Sequence, residues 1–150
     1  MRVAVSGARG LVGEALRPLL EQAGDEVVEL ARSSRPGAVV WNPAGTWDAT
    51  PLEGVDAVVH LAGESVACLW TAARRRAIME SRREGTASLC RGLLSLAKRP
   101  SVLVCASAVG LYGDGGDQLL TEDSPPGRGF LAEVVQAWEA AAAPAAEAGI

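Results

Sequence analysis

Little in this sequence could hold a metal or a cross-link. Its 150 residues contain one histidine, His60, which disfavours a zinc site. Cysteine is almost as scarce. Cys68, Cys90 and Cys105 are odd in number and show no CxxC spacing. They read as small buried hydrophobes in a reducing compartment, not as disulfides or metal ligands. There is one tyrosine, Tyr112, and one lysine, Lys98. No apolar stretch approaches the ~18 residues of a membrane span, and the run after Met1-Arg2 is too short for a signal-peptide core. These absences point to a cytoplasmic protein with no membrane partner. Positive charge is not in excess either. The net charge is -4 and the pI about 5.0, which disfavours a general nucleic-acid role. The local run Arg74-Arg75-Arg76 reads as the solvated face of a helix.

What the chain does have is apolar content, 49% of residues, at a length that suggests one domain. Short apolar runs predict strands at Val3–Val5, Glu26–Leu30, Gly37–Trp41, Val55–Leu61 and Ser101–Ala106. The fourth is nearly all apolar in its second half, as a parallel strand covered on both faces would be. Helical rhythm starts at Leu11 and continues through Ala15, Leu16, Leu19 and Leu20, with Gly24 as the stop. A second helix is predicted from Trp70 to about Ala97, bent at Gly85 or Gly92. A third runs Phe130–Glu147, with Phe130, Val134, Val135 and Trp138 on one face. Asn42–Pro51 and Gly113–Gly129 carry the composition of loops.

Strands alternating with helices give an α/β class: a doubly wound parallel sheet of Rossmann type. The last residues, AAAAPAAEAGI, read as a helix end, a turn and the first residue of another strand. The expectation is an incomplete Rossmann domain over 1–150, cut before its sixth strand, with further chain beyond. An open sheet edge invites association, so a homodimer is the expected protein partner.

The stretch VAVSGARGLVGEAL sets Gly7, Gly10 and Gly13 between a strand and a helix. Gly7 lets the chain turn off the strand. Gly10 removes the Cβ that would block a pyrophosphate, and Gly13 lets the helix pack on the sheet. The helix start at Leu11 and Val12 offers free N–H groups and a positive dipole end. In this context the spacing reads as a dinucleotide seat. The end of the second strand selects the cofactor. An acidic residue there would hold the 2′-hydroxyl of NAD. Here Arg32 takes the terminal position, with Arg35 nearby and Arg9 inside the glycine turn. Guanidinium groups suit a 2′-phosphate, so the reading is NADP(H). Glu29 is within reach of a ribose hydroxyl, but alternation along the strand points it elsewhere.

Further stretches follow: VDAVVHLAGES, ending in Leu61-Ala62-Gly63; SRREGT, with Ser81, Arg82, Gly85 and Thr86; CASAVGLYGD; and LTEDSPPGRGFLAEVVQAWEAA. With the GxxGxxG turn they resemble an atypical subgroup of the extended short-chain dehydrogenase/reductases, the sugar-nucleotide-epimerase-like proteins. The resemblance implies an NADP-binding Rossmann domain followed by a smaller substrate lobe, with Leu61, Ala62 and Gly63 bordering the adenine and ribose.

It also implies a Tyr, with a Lys four residues on, at the start of the helix after the long loop. Phe130 and Val134 stand there instead, and neither can move a proton. Ser107 is the nearest candidate for the hydroxyl that holds a substrate oxygen, and Tyr112 carries the only phenol. Glu64 and Glu133 are other proton carriers. His60, inside a strand, reads as a core residue. Two readings follow. One is an NADP-dependent oxidoreductase or epimerase acting on a small hydroxyl- or carbonyl-bearing substrate such as a nucleotide sugar. The other is an NADP(H)-holding scaffold or redox sensor without the Tyr-Lys pair.

Overall fold

The computed structural model describes all residues from Met1 to Ile150. Five parallel strands form one sheet: β1 Arg2–Ser6, β2 Glu26–Ala31, β3 Ala38–Val40, β4 Ala57–His60 and β5 Val102–Cys105. Helix α1 Leu11–Gln22 joins β1 to β2, α2 Ala72–Leu94 joins β4 to β5, and α3 Phe130–Glu147 follows β5. The spatial order is β3-β2-β1-β4-β5. This is the doubly wound arrangement that the alternation of elements predicts. Its topological switch lies between β1 and β4, where a crevice opens beyond the carboxyl ends of the strands.

Alternation along the strands builds two cores. Ala4, Val28, Leu30 and Val58 pack with Leu89 and Leu93 of α2 and with Trp41, Leu52 and Val55 from the β3–β4 connection. On the other face Val3, Val5 and Ala57 pack with Ala8 and the partly buried Leu20, Val27 and Val59. The central strands are covered on both faces, which is why they read as unbroken apolar runs.

Two local expectations change. The helix α2 runs unbroken through Gly85 and Gly92. A Cβ at Gly85 would lie 3.6 Å from Cβ of Pro43 and 3.7 Å from Cη2 of Trp41. At Gly92 it would overlap the Trp47 ring. Neither glycine is a bend: Gly92 lets Trp47 lie against the helix, whereas a Cβ at Gly85 would only make ordinary contacts with Pro43 and Trp41. Trp47 is fixed there by its Nε1–H, which donates to the Ser88 carbonyl at 3.1 Å.

The face of α1 turned to the sheet is also narrower than its rhythm suggests. Leu11 and Leu19 are 92% and 63% exposed. The sheet-facing line runs Gly13, Leu16, Leu20, because Gly13 must sit against the preceding turn. Gly24, at φ +83°, ends the helix as expected, with the Asp25 N–H reaching back to the Leu20 carbonyl. No helix is long and apolar enough to cross a membrane.

Candidate functional site

The glycine turn is shaped by contact with β4. Gly7 has φ +72°, and a Cβ there would lie 2.8 Å from the Ala62 nitrogen. A Cβ at Gly13 would overlap the Gly7 carbonyl and the Ala8 backbone. Gly10 differs: only the Gly7 oxygen is near, at 3.3 Å, and its outer side is open. Gly10 is the N-cap of α1, and no side chain caps the helix. The first-turn N–H groups, including those of Leu11 and Val12, stay free for a ligand.

A cleft of about 300 Å³ opens over this turn. Gly7, Arg9 and Gly10 line it from the turn, and Glu29 through Arg32 with Arg35 from the end of β2. Leu61, Ala62, Gly63 and Glu64 line it from the end of β4, with Trp41, Pro43 and Ser81 closing it. The cleft therefore gathers Gly7, Arg9, Gly10, Arg32, Leu61, Ala62 and Gly63 of the sequence-predicted cofactor residues. Leu11 and Val12 lie just beyond it with exposed side chains, and Gly13 is buried beneath the turn. Glu29 is a correction. Alternation pointed it away, yet it lies in the cleft wall, 2.7 Å from Arg35 and 3.2 Å from Arg9.

Behind the cleft, Ser6 accepts the N–H groups of Leu61 and Ala62 at 3.2 and 3.3 Å. His60 lies between Ser6 and Thr86, fully buried, with its ring edge-on to Trp41 at 5.6 Å. This is the core role its strand position suggests. On the α2 side, two neighbouring side chains hold both backbone groups of Glu64. The Ser81 hydroxyl accepts its N–H at 3.0 Å, and Arg82 Nη1 donates to its carbonyl at 3.0 Å. The Arg82 guanidinium lies over the Trp138 ring at 5.0 Å, and burial lowers its pKa from the usual value. The sequence gives no periodic signal for Ser6, Ser81 or Arg82, because each acts through a contact distant in the chain.

The sequence-predicted catalytic pair does not enter the cleft. Ser107 donates to Oε1 of Glu139 on α3 at 2.5 Å. Tyr112 ends a short 3-10 turn, Val109–Tyr112, and its carbonyl is packed against Gly127. Phe130 is half-buried, 5.4 Å from the Trp70 ring, with the Arg75 guanidinium 5.3 Å above it. Val134 is buried. The face that would carry a Tyr and a Lys carries packing instead.

The family model for the NAD dependent epimerase/dehydratase family matches residues 3–148. The chain belongs to that family. An epimerase family protein of Mycobacterium bovis is 35% identical over 98% of this chain and 50% of its own length. A crystal structure of a nucleoside-diphosphate sugar epimerase from Corynebacterium glutamicum superposes with a TM-score of 0.86 at 42% identity, covering 99% of this chain and 32% of that one. The human epimerase family protein SDR39U1, solved with NADPH, superposes with a TM-score of 0.84 at 33% identity, covering 95% of this chain and 48% of that one. The chain spans about half the length of the curated relatives it matches. The resemblance read from the motifs is thus the family found, and NAD(P) dependence is the family's property.

Proposed function

We propose that the chain forms the NADP(H)-binding unit of an oxidoreductase or epimerase acting on a small hydroxyl- or carbonyl-bearing compound such as a nucleotide sugar. The observation that carries the cofactor is Arg32. It lies at the end of β2, in the same cleft as the glycine turn, and forms no ion pair with a carboxylate. Arg9 and Arg35 flank the same wall. The open side of Gly10 and the uncapped start of α1 suit the pyrophosphate, and the three guanidinium groups suit a 2′-phosphate. The relative solved with NADPH supports this choice, and the Corynebacterium relative supports the substrate class. Bound there, the cofactor would supply hydride exchange.

A second reading has its own support. Phe130 and Val134 carry no proton, and Ser107 is turned to Glu139. That arrangement favours a scaffold or sensor that holds the cofactor without chemistry. The first test is a titration with NADPH and, in parallel, NADH, followed by nicotinamide fluorescence and tryptophan quenching. Tighter binding of NADPH, weakened by Arg32→Ala, is expected. Saturable binding of neither would overturn the cofactor reading. Turnover of nucleotide sugars with NADP⁺ would then separate enzyme from scaffold.

A further inference from the structure

The arginines at the end of β2 are not equally free. Arg9 Nε lies 3.2 Å, and Arg35 Nη1 2.7 Å, from one and the same atom, Oε1 of Glu29. The Glu29 side chain is only 12% exposed. Arg32 has no such partner. All four residues line one cleft. A carboxylate therefore already occupies two of the three cations that an entering anion would seek.

We propose that Glu29 is a specificity-determining residue of the cofactor cleft: an internal counter-ion that competes with the 2′-phosphate of NADP(H) for Arg9 and Arg35. This rests on the reading of the cleft as an NADP(H) site. A phosphate gripped in a bidentate way must draw Arg9 or Arg35 off Glu29, or settle on Arg32 beside an uncompensated carboxylate. Both routes weaken phosphate binding: the first gives up an ion pair of Glu29, and the second sets the phosphate near a carboxylate that is little exposed and so weakly screened. The 2′-hydroxyl of NAD(H) carries no charge and does not enter this competition. Glu29 thus narrows the preference for NADP(H) over NAD(H) that the three arginines would otherwise create. Periodicity along β2 gave no hint of it, because Arg9 reaches Glu29 only once β1 and β2 pair.

The test compares dissociation constants for NADPH and NADH in the wild-type chain and in Glu29→Gln, Glu29→Thr and Glu29→Asp. Adenosine 2′,5′-bisphosphate and AMP serve as competing probes of the phosphate alone. Removing the charge is expected to tighten NADPH and the bisphosphate about tenfold while NADH moves less than about twofold. Glu29→Asp, which keeps the charge, should stay near wild type. Glu29→Thr suits a strand and repeats the charge removal, so the outcome does not depend on one variant folding. If Glu29→Gln and Glu29→Thr leave the NADPH-to-NADH ratio unchanged, or weaken both cofactors alike, Glu29 only props the arginines and the inference falls while the cofactor reading stands. If the wild-type chain binds neither cofactor, the cofactor reading falls first and takes this inference with it.

Discussion

The Ser6 hydroxyl on β1 lies 2.6 Å from Nδ1 of His60 on β4. That hydroxyl oxygen already accepts two backbone N–H groups, from Leu61 and Ala62. With these N–H groups aimed at its lone pairs, although that of Leu61 is shared with the Ser6 carbonyl, the arrangement favours the tautomer in which the hydroxyl proton goes to Nδ1. The imidazole proton is left on Nε2, which donates to Thr86 of α2 at 3.1 Å. One neutral ring ties two strand ends and a helix together beneath the cofactor cleft.

This fixes how stability responds to pH. Burial pushes the His60 pKa from 6.5 down to about 4. The unfolded chain takes up a proton near the higher value and the folded chain only near the lower. The contribution is complete above the unfolded pKa and is lost as pH falls through the window between the two. The loss should total about 3 kcal/mol. Urea denaturation from about pH 7.5 down to about pH 4.5 checks it. His60→Asn should flatten the slope in that window, and a wild-type slope of zero there would refute the assignment.

The glycines of the turn divide by role. A Cβ at Gly13 meets backbone, which cannot step aside, whereas one at Gly10 meets only the Gly7 oxygen at 3.3 Å. Gly13→Ala should cost at least about 2 kcal/mol, as overpacking of a rigid site does. Gly10→Ala should cost under about 1 kcal/mol, mostly from a poorer N-cap, yet lower NADPH affinity at least about tenfold by filling the pyrophosphate approach. Melting curves and cofactor titration on the two variants separate these effects. Equal behaviour of the two would show that the turn has no ligand-facing glycine.

What was legible in the sequence was local. The third helix is bounded by Phe130 and Glu147 in both pattern and structure, since a 3.6-residue rhythm needs no distant partner. The glycine turn was legible for the same reason. Apart from the exposed Leu11 and Leu19 of α1, the differences involve partners far along the chain. Gly85 and Gly92 look like bends in the helix until Trp41 and Trp47 are seen lying against them. Glu29 looks turned away until Arg9 reaches it from the neighbouring turn. The bond from the Ser107 hydroxyl to Glu139 of α3 likewise spans 32 residues and has no signal in the local pattern.

That last pair gives a further expectation. The contact between Ser107 and Glu139 is short, charge-assisted and exposed, and it links the end of β5 to the middle of α3. Ser107→Ala should lower stability by about 1 kcal/mol and leave the NADPH dissociation constant unchanged. Denaturation and titration of the same variant check both halves. A large loss of NADPH affinity without a stability change would show that Ser107 acts on the cofactor and does not merely tie β5 to α3.

The three cysteines should differ sharply in reactivity. Burial raises the thiol pKa of Cys90, and raises that of Cys105 to about 11. At about pH 8 the Cys105 thiolate, the reactive form, is then on the order of a thousandth of the population. Cys68 lies in the connection between β4 and α2 and is only half-buried, its Sγ 3.6 Å from the Ser65 carbonyl. Iodoacetamide at about pH 8, with mass spectrometry of the labelled peptides, should modify Cys68 first, the half-buried Cys105 slowly because so little of it is thiolate, and the buried Cys90 only on the timescale of unfolding. Because Cys90 lies buried on α2, its labelling rate reports the opening of that helix from the sheet. Labelling of Cys105 as fast as that of Cys68 would refute the raised thiol pKa, and rapid labelling of Cys90 would mean that α2 opens far more readily than its buried Ile78, Leu89 and Leu93 imply.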